Sequence, residues 1–559
     1  MSLQSLQEKD RRKRPRINHS PPGRSTQSLI GQQRINFAGV LSDEVILYIL
    51  TYLSYQDLAR LSRASWQWKR LASDQALWKT LFVGRFPLRS PIETEPAHST
   101  AKGKHGGTGP GRRRSGLAGD IMREQCDWLS MYILQHNWNA GNYRITNIDL
   151  SGADPPADPA SERQPTTSHS DMPTMCTPIV AFTTDYVLVA PKHDHSKDIG
   201  VQVWSIDQQR HIGTLRRTAE ETAAITSLRV DGSAARTSKR VIAGYSNGDC
   251  TIWEISGDAG RWSSDELCTI SGRPGARTLL GVAICDDVIT TCSSQFDVVL
   301  YRLLPPSHTD RKWTWKLLNR LQSRVCWAPV DLHLLRGRTL DTYLLHISYA
   351  SPTPSLEWQV GLERVTFSLT RGIISNEHFS PKPAKFMARS VSPLTCIKFR
   401  PPYLVTAHAD NVVQVYNLIP TPTARNASRT TLVHLSPLYA HAAAVTALEL
   451  DGDSGKLVTG GFDGIKVWEL QDESGRIVVR DPTTTLVDAD WQGDWERRGH
   501  TSNAERGPKW LGFDAGRIVS FSGCHCSKSA RSASDGADSS CSPADVATGV
   551  VKIFSFLDE

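Results

Sequence analysis

Zinc-binding residue types are concentrated near the end of this chain, where Cys524, His525 and Cys526 are followed by Cys541. Thiolates and imidazoles are preferred zinc ligands, but structural sites place two to four residues between paired cysteines. Here a single residue separates them, in a stretch rich in Ser, Ala and Gly. We therefore expect no metal site in this stretch.

A second polar cluster joins His193 and His195 to Asp194 and Asp198. Its composition is typical of a turn between strands, so we expect no metal there either. No G-x-x-x-x-G-K-[ST] loop is present to hold nucleotide phosphates. The sequence therefore predicts a non-catalytic chain without a cofactor.

Basic residues close to expected strands are the other candidates for chemistry. Arginine pairs with phosphate through two parallel hydrogen bonds, so a ring of such residues would suit a phosphorylated target. The alternative for each residue is an ordinary solvated position, and we assign no target site. The residues are Arg229, Arg302, Lys398, Arg400, Lys466 and Arg517.

Composition indicates several domains or one large domain with an adaptor, since the chain has 559 residues, 39% apolar and 22% charged. The net charge of +7 is modest for this length and does not predict nucleic-acid binding. Part of it lies in residues 11–16 and 112–114, among Pro, Gly and Ser. The run at 11–16 is either a solvated tail or a nuclear localisation signal.

The eleven cysteines show no framework spacing, and no apolar stretch reaches the ~20 residues that span a membrane. The first ten residues are polar, and we expect no signal peptide. We therefore expect free thiols, no membrane contact, and a cytoplasmic or nuclear location.

A repeated unit dominates the chain from about residue 142. Each unit has short β-type runs, and an aromatic residue closes one of them. The spacings of these aromatics are 49, 48, 115, 52 and 86 residues, which fit seven units of about 50 residues with one unit hidden and one insertion. The hidden unit should have its last strand at 362–369. The aromatics are Trp204, Trp253, Tyr301, Tyr416, Trp468 and Phe554.

Tight turns precede the closing strand in the clearest units, for example Asn247-Gly248 and Asp463-Gly464. Asn, Asp and Gly accept positive φ, so two strands can reverse there. The units ending at Trp204, Trp253 and Trp468 resemble WD repeats, and the others are degenerate. This resemblance implies a β-propeller, and the number of units predicts seven blades.

Ring closure needs a fourth strand for the last unit, which offers only three before the chain ends. The run from Tyr143 to Leu150 precedes the first full unit and could supply that strand. Such pairing would remove an exposed edge and lock the ring.

Residues 41–53 predict a helix, with Ser42 as N-cap and acidic residues in the first turn. Residues 54–57 form a capping-box pattern that opens a second helix, and a third helical stretch carries Leu77, Trp78 and Phe82. So much apolar surface in about 45 residues predicts a partner that covers part of it.

These helices resemble an F-box, which has an acidic first turn, an Asp-Leu opening of helix 2 (here 57–58), a Trp (Trp68) and a late Leu-Trp (77–78). Ser42 stands where the family usually has proline, and we expect this difference to weaken the start of the helix only modestly. The resemblance implies docking on a Skp-type adaptor, which links to a cullin and its RING partner. The positions that it assigns to the interface are Leu41, Glu44, Val45, Ile49, Leu53 and Leu58.

The alternative for Val45, Ile49 and Leu58 is that they only hold the three helices together. The order of elements resembles fungal-type F-box/WD-repeat receptors: an α plus all-β multidomain chain, with a small three-helix F-box and a seven-bladed propeller. The predicted domains are a disordered basic tail (1–36), the F-box (37–86), a flexible insertion (87–119), a linker helix (120–141) and the propeller (142–559), with disordered loops at about 151–175 and 524–546.

The resemblance implies the substrate-recognition subunit of an SCF-type E3 ubiquitin ligase, which brings a target protein to the ligase without catalysis of its own. The alternative is a propeller scaffold in a stable complex, with the F-box used for assembly or self-turnover. A hydrolase-type propeller enzyme is a third reading, for which the sequence shows no convergent set of ligands.

Overall fold

The described parts of the chain cover most of the predicted domains. The predicted tail (1–36), insertion (87–119) and loops (about 151–175 and 524–546) lie outside them. The computed structural model describes residues 41–86, 127–150, 179–190, 200–218, 223–231, 238–258, 261–272, 275, 277–306, 313–322, 327–337, 339, 341–353, 358–381, 392–421, 429–471, 484–486, 507–522 and 550–557.

Two compact units make up the chain, Met1–Leu77 and Trp78–Glu559. The described helices are α1 (Asp43–Leu50), α2 (Tyr55–Leu61), α3 (Trp66–Ala72), α4 (Gln75–Arg85) and α5 (Trp128–Ala140). None of these described helices is long and apolar enough to span a bilayer.

Helix α3 organises the first unit, because it contacts both α1 and α2. Arg70 of α3 donates to the carboxylate of Asp43 in α1 at 2.6 Å. The predicted helix over 41–53 is shorter than expected and ends at Leu50. The N–H groups of Tyr52 and Leu53 bond to carbonyls three residues earlier, so the last turn tightens before the next helix begins.

Seven antiparallel sheets of four strands each follow in the described residues. The first sheet contains β2 (Ile179–Phe182), β3 (Tyr186–Ala190), β4 (Val201–Ser205) and β5 (Arg210–Leu215). The second contains β6 (Ile225–Val230), β7 (Lys239–Tyr245), β8 (Cys250–Asp258) and β9 (Arg261–Ile270). The third contains β10 (Leu279–Cys285), β11 (Val288–Ser293), β12 (Asp297–Leu304) and β13 (Thr314–Gln322).

The fourth sheet contains β14 (Trp327–Arg336), β15 (Thr342–Pro352), β16 (Trp358–Ser368) and β17 (Gly372–Phe379). The fifth contains β18 (Leu394–Arg400), β19 (Tyr403–His408), β20 (Val413–Thr421) and β21 (Arg429–Leu438). The sixth contains β22 (Val445–Asp451), β23 (Lys456–Gly461), β24 (Gly464–Glu469) and β25 (Thr484–Leu486). The seventh contains β26 (Pro508–Phe513), β27 (Arg517–Ser522), β28 (Val550–Ser555) and β1 (Arg144–Asp149).

The sheets are arranged as a closed ring. The first strand of each sheet contacts the first strands of both neighbouring sheets, and β26 contacts β2. The first strands therefore surround a central axis and the fourth strands lie at the rim. This confirms the predicted seven-bladed β-propeller, with each sheet as one blade.

Strand β1 completes the last blade. It pairs antiparallel with β28, with Ile145 opposite Phe554 and Ile148 opposite Val551. Ile148 packs in a core cluster with residues of blades 7 and 1. The predicted closure by the run at 143–150 is therefore confirmed, and it joins the two ends of the propeller through main-chain hydrogen bonds.

The closing aromatics occupy one equivalent place. All six lie on the third strand of a blade and in a core cluster that also holds residues of the preceding blade. In blade 4, β16 was expected to be the last strand but is the third, and β17 follows it. A β-bulge precedes Phe367 there, as one precedes Trp204 in blade 1, and Phe367 packs on blade 3. Phe367 is therefore the seventh closing aromatic, which the sequence reading missed.

Helix α5 is fixed to blades 6 and 7. The indole of Trp138 stacks on Phe556 with centroids 4.0 Å apart, and its Nε1 donates to the carbonyl of Ala515 at 2.8 Å. The Oγ1 of Thr484 donates to the carbonyl of Trp138 at 2.9 Å. Gly141 ends the helix in the left-handed conformation. The predicted linker helix is thus described from Trp128 onward and is anchored at its C-terminal end.

Candidate functional site

Helix α1 carries an apolar stripe on its solvent side. Val45 and Ile49 are 46% and 39% exposed, although both are large apolar residues. Tyr48 and Tyr52 continue the stripe, because positions three and four apart lie on one helix face. The opposite side of α1 buries Ile46 and Leu50. The helix is therefore apolar on two sides, and the described residues of the chain cover only one of them.

The predicted interface residues differ in how accessible they are. Glu44 is exposed and Leu41 and Leu53 are partly buried. Leu58, by contrast, is only 1% exposed, so its burial favours the alternative that it holds the helices together. The pKa of Glu44 is lowered by its own backbone N–H and by the Ser42 hydroxyl, which keep the carboxylate charged.

The sequence reading missed three exposed aromatics in the same unit. The hydroxyl of Tyr52 donates to that of Tyr48 at 2.7 Å, and their rings meet edge to face. Trp66, the first residue of α3, is also strongly exposed. An i, i+4 aromatic pair was visible in the sequence, but tyrosine is amphipathic and does not distinguish core from surface.

Local capping fixes the helices that carry this stripe. The Oγ of Ser54 accepts from the backbone N–H of Asp57 at 3.2 Å and donates to its carboxylate at 2.7 Å. The first bond is one half of the capping box predicted for α2, and in place of the other half the Asp57 carboxylate accepts from the Ser54 hydroxyl. Ser42 lies at the N-cap of α1 as predicted, but its side chain makes no cap hydrogen bond to the backbone. Its carbonyl accepts from Ile46 at 3.1 Å.

A network of charges around the buried Asp331 forms the second candidate site, at the axis of the propeller. Asp331 of β14 accepts from Arg229 of β6 at 2.7 Å and from Arg400 of β18 at 3.0 Å. Glu449 of β22 accepts from Lys398 of β18 at 2.7 Å. First strands of four blades thus contribute three cations and two carboxylates.

The electrostatics of this network follow from its partners. Burial alone would raise the pKa of Asp331, but the charges of Arg400, Lys398 and Arg229 outweigh burial and lower that pKa. The pKa of Glu449 is lowered in the same way. The carboxylates therefore neutralise most of the positive charge, and these cations are not a free set for a phosphate group.

The other basic candidates are dispersed. Lys466 pairs with Asp463 at 3.1 Å, and Arg517 donates to the carbonyl of Thr184 at 2.8 Å. Arg302 lies on β12, opposite Lys316 of β13. The structure therefore brings together only Arg229, Lys398 and Arg400 of the six candidates.

Blade 6 is held by a chain of hydrogen bonds around His441. Its Nε2 and the Nε1 of Trp468 both contact the Oγ1 of Thr459, at 2.7 and 2.8 Å. Its Nδ1 lies 2.7 Å from Asp463 in the turn before β24. Burial raises the pKa of Asp463, but His441 and the N–H of Ala442 outweigh burial and lower it. These hydrogen bonds connect the turn, two strands and a closing aromatic of blade 6.

Catalytic and metal motifs gain no support from geometry. Residues 244–248 read G-x-S-x-G, but they lie in a turn between two strands, whereas a nucleophile elbow joins a strand to a helix. The cysteine cluster at 524–526 with Cys541 and the histidines at 193 and 195 lie outside the described residues. Within the described stretches, no three His, Cys, Asp or Glu side chains are grouped to hold a metal ion.

Acidification is expected to destabilise the propeller between about pH 6.5 and 4. Burial lowers the pKa of His346 to about 3 and that of His434 to about 4. Unfolded histidine titrates near pH 6.5, so the unfolded state binds more protons than the folded state in this window. The free energy of unfolding therefore decreases as the pH is lowered from about 6.5 to 4. The slope for the buried His346 is about 1.4 kcal/mol per pH unit, and it is smaller for His434, which is only partly buried.

Thermal unfolding at pH 7 and pH 5 measures this effect. We expect a lower melting temperature at pH 5, and a smaller difference in His346→Gln. Asp331 cannot account for the shift, because a carboxylate with a lowered pKa loses its contribution only below about pH 4. Equal melting temperatures at the two pH values would contradict the prediction.

Comparison with known proteins gives matches at the level of family models. The model described as F-box protein pof12 beta-propeller matches residues 167–489, which is more than half of the chain. The model described as F-box-like matches residues 43–84. No curated protein matches the chain.

Among solved structures, the computationally designed Ika8 protein is similar to this chain at 15% identity. The match covers 62% of this chain and 93% of that one, with a TM-score of 0.30. A likeness at this level carries no argument about function.

Proposed function

This chain belongs to the family of F-box proteins with a pof12-type β-propeller, and on that premise we propose that it is the substrate-recognition subunit of an SCF-type E3 ubiquitin ligase. The F-box would bind a Skp-type adaptor and, through it, a cullin and a RING protein. The propeller would bind the target protein. Chains that combine these two domains are typically non-catalytic receptors, and this one would contribute proximity rather than chemistry.

The observation that carries the proposal is the uncovered apolar stripe on α1. F-box domains generally bind Skp-type adaptors, and the stripe lies within the residues that match the F-box-like family model. Val45 and Ile49 belong both to the stripe and to the positions predicted for the adaptor. Burying such residues against a partner gains about 25 cal/mol for each Å² of apolar surface.

We propose that Leu41, Glu44 and Leu53 lie at the edge of that interface and that Leu58 supports it from inside the helical unit. We also propose that the blades are diverged WD repeats, in which Tyr or Phe replaces some closing tryptophans. A cytoplasmic or nuclear location is supported by free cysteines in the described residues, since thiols persist in reducing compartments.

A scaffold function is the second candidate, because a propeller can organise a stable complex while the F-box serves assembly or self-turnover. Proteins that accumulate and lose ubiquitylation when this chain is deleted would favour the receptor. Unchanged turnover with lost assembly of a complex would favour the scaffold.

Affinity capture with mass spectrometry under proteasome inhibition tests the receptor. We expect the full chain to recover the adaptor, cullin and RING protein, and Val45→Asp to recover at least about tenfold less, because a charge would be buried in the interface. Val433→Asp is the matched control, since it introduces the same charge at a similarly exposed valine on the propeller rim. Equal recovery with Val45→Asp and wild type would contradict the proposal.

A further inference from the structure

Strand β13 is the rim strand of blade 3, and its composition differs from those of the rim strands of similar length, β9, β17 and β21. It is hydrogen-bonded to β12 on one side and stands last in the sheet order, so its other edge presents backbone N–H and C=O groups. Its nine residues include two cations, Lys316 and Arg320, and no carboxylate. The rim strands β9 and β17 carry carboxylates, and β21 carries Pro437, which cannot donate.

One face of β13 is apolar and borders a groove. Trp315 and Leu317 are each 40% exposed, and the ring of Trp315 meets Tyr301 edge to face. Beside them a groove of about 590 Å³ separates β13 from β9, with Trp313 and Trp315 on one wall and residues 266–269 on the other. The groove has room for apolar side chains that approach from the strand edge.

The other face of β13 has unbalanced positive charge. Lys316 lies directly opposite Arg302 of β12. Like charges at directly opposite positions of antiparallel strands are destabilising. The Nε of Arg302 is also buried, and it has no hydrogen-bond partner in the described part of the chain. A carboxylate on a strand added at the edge of β13 would lie beside Lys316 and offset the repulsion between the two cations.

We propose that the free edge of β13 binds an extended peptide segment of a partner protein in which acidic and apolar residues alternate. Side chains of an added strand point to opposite faces in turn. Apolar residues would enter the groove beside Trp315 and Leu317, while acidic residues would face Lys316. The partner would be the target of the proposed receptor, and in this respect alone the inference rests on the proposed function.

A peptide fits this edge better than a nucleic acid. Glu266 lines the groove, where its carboxylate accepts from the backbone N–H and hydroxyl of Thr218 at 2.7 and 2.6 Å. A carboxylate in this place would repel a phosphate backbone, whereas it leaves an apolar side chain unaffected. The strand edge also offers alternating main-chain donors and acceptors, which an extended peptide can pair with as a continuous β-ladder.

Fluorescence anisotropy with the purified full chain tests the inference. The probe is a labelled peptide of alternating Glu and Val with the nine-residue length of β13. We expect binding to weaken by about tenfold or more in Lys316→Glu and in Trp315→Ala, which remove the charge and the apolar contact. Binding should also weaken for a peptide of the same composition with Glu and Val in separate blocks, because blocks cannot match the two faces.

Arg210→Glu on β5 and Ile374→Ala on β17 are the matched controls, since they change exposed residues of other rim strands and should leave binding unchanged. Unchanged melting temperatures would show that the variants fold. Absence of binding by wild type, or equal binding by wild type and Lys316→Glu, would overturn the inference. An oligouridylate that binds more tightly than the peptide and depends on the same residues would also overturn it, in favour of a nucleic acid.

Peptide binding at the edge of β13 should be independent of adaptor binding by the F-box. Val45→Asp should bind the peptide as wild type does, and Lys316→Glu should recover the adaptor as wild type does. A wild-type chain that recovers the adaptor but does not bind the peptide would therefore refute only the rim site.

Discussion

Ile148→Asp is expected to unfold the propeller under conditions in which the wild-type chain is folded. Ile148 is 1% exposed and lies in β1, which supplies the fourth strand of the last blade. The new carboxylate would be buried among Val180, Val519 and Val551, which offer it no charged partner. An uncompensated buried charge costs about 3–5 kcal/mol, a large part of the stability of a typical domain.

Ile145→Asp is the matched control on the same strand. Ile145 is 38% exposed, so its carboxylate would remain partly hydrated and the loss should be much smaller. Thermal and denaturant unfolding of both variants measure the difference. Similar unfolding midpoints for the two variants would contradict the role of β1 as the strand that closes the ring.

Asp331→Asn is expected to be the second most damaging substitution. Asp331 is 2% exposed and neutralises Arg229 and Arg400 while accepting the N–H of Phe399 at 3.2 Å. The amide would leave both guanidinium groups without their shared counter-charge. Removing one partner from a fully buried ion pair costs about 3–5 kcal/mol, and we expect a loss near or below the lower end of this range because Arg229 and Arg400 are partly exposed.

Glu377→Gln provides the comparison for this loss. Glu377 pairs with Arg364 in blade 4 but is largely solvent-exposed, and exposed pairs contribute about 1 kcal/mol or less. Urea unfolding of both variants gives the two free-energy changes. An Asp331→Asn chain as stable as Glu377→Gln would show that the axial network does not hold the four blades together.

Local patterns were sufficient to predict the propeller. Asn247-Gly248 and Asp463-Gly464 form the expected reversals, and Gly248 and Gly464 have φ of 88° and 116°. The fourth unit was harder to recognise because β14, β15 and β16 are ten or eleven residues long and no Asn-Gly or Asp-Gly pair precedes its third strand. A closing aromatic is conspicuous only where polar turns separate it from other apolar residues.

Long-range pairings could not be predicted from local pattern. Asp331 is about a hundred residues from Arg229 in sequence, and only the ring brings β6 and β14 to the same axis. Leu58 illustrates the opposite problem within a short helix. Helical periodicity identifies an apolar position, but it does not say whether this chain or a partner covers that position.

The affinity of the purified full chain for a Skp-type adaptor tests the central claim most directly. We predict saturable binding by wild type and Val433→Asp, with Val45→Asp and Ile49→Asp weakened by about tenfold or more. If the wild-type chain does not bind the adaptor, or if both stripe variants bind as tightly as wild type, then the apolar face of α1 is not the site that joins this propeller to a ubiquitin ligase.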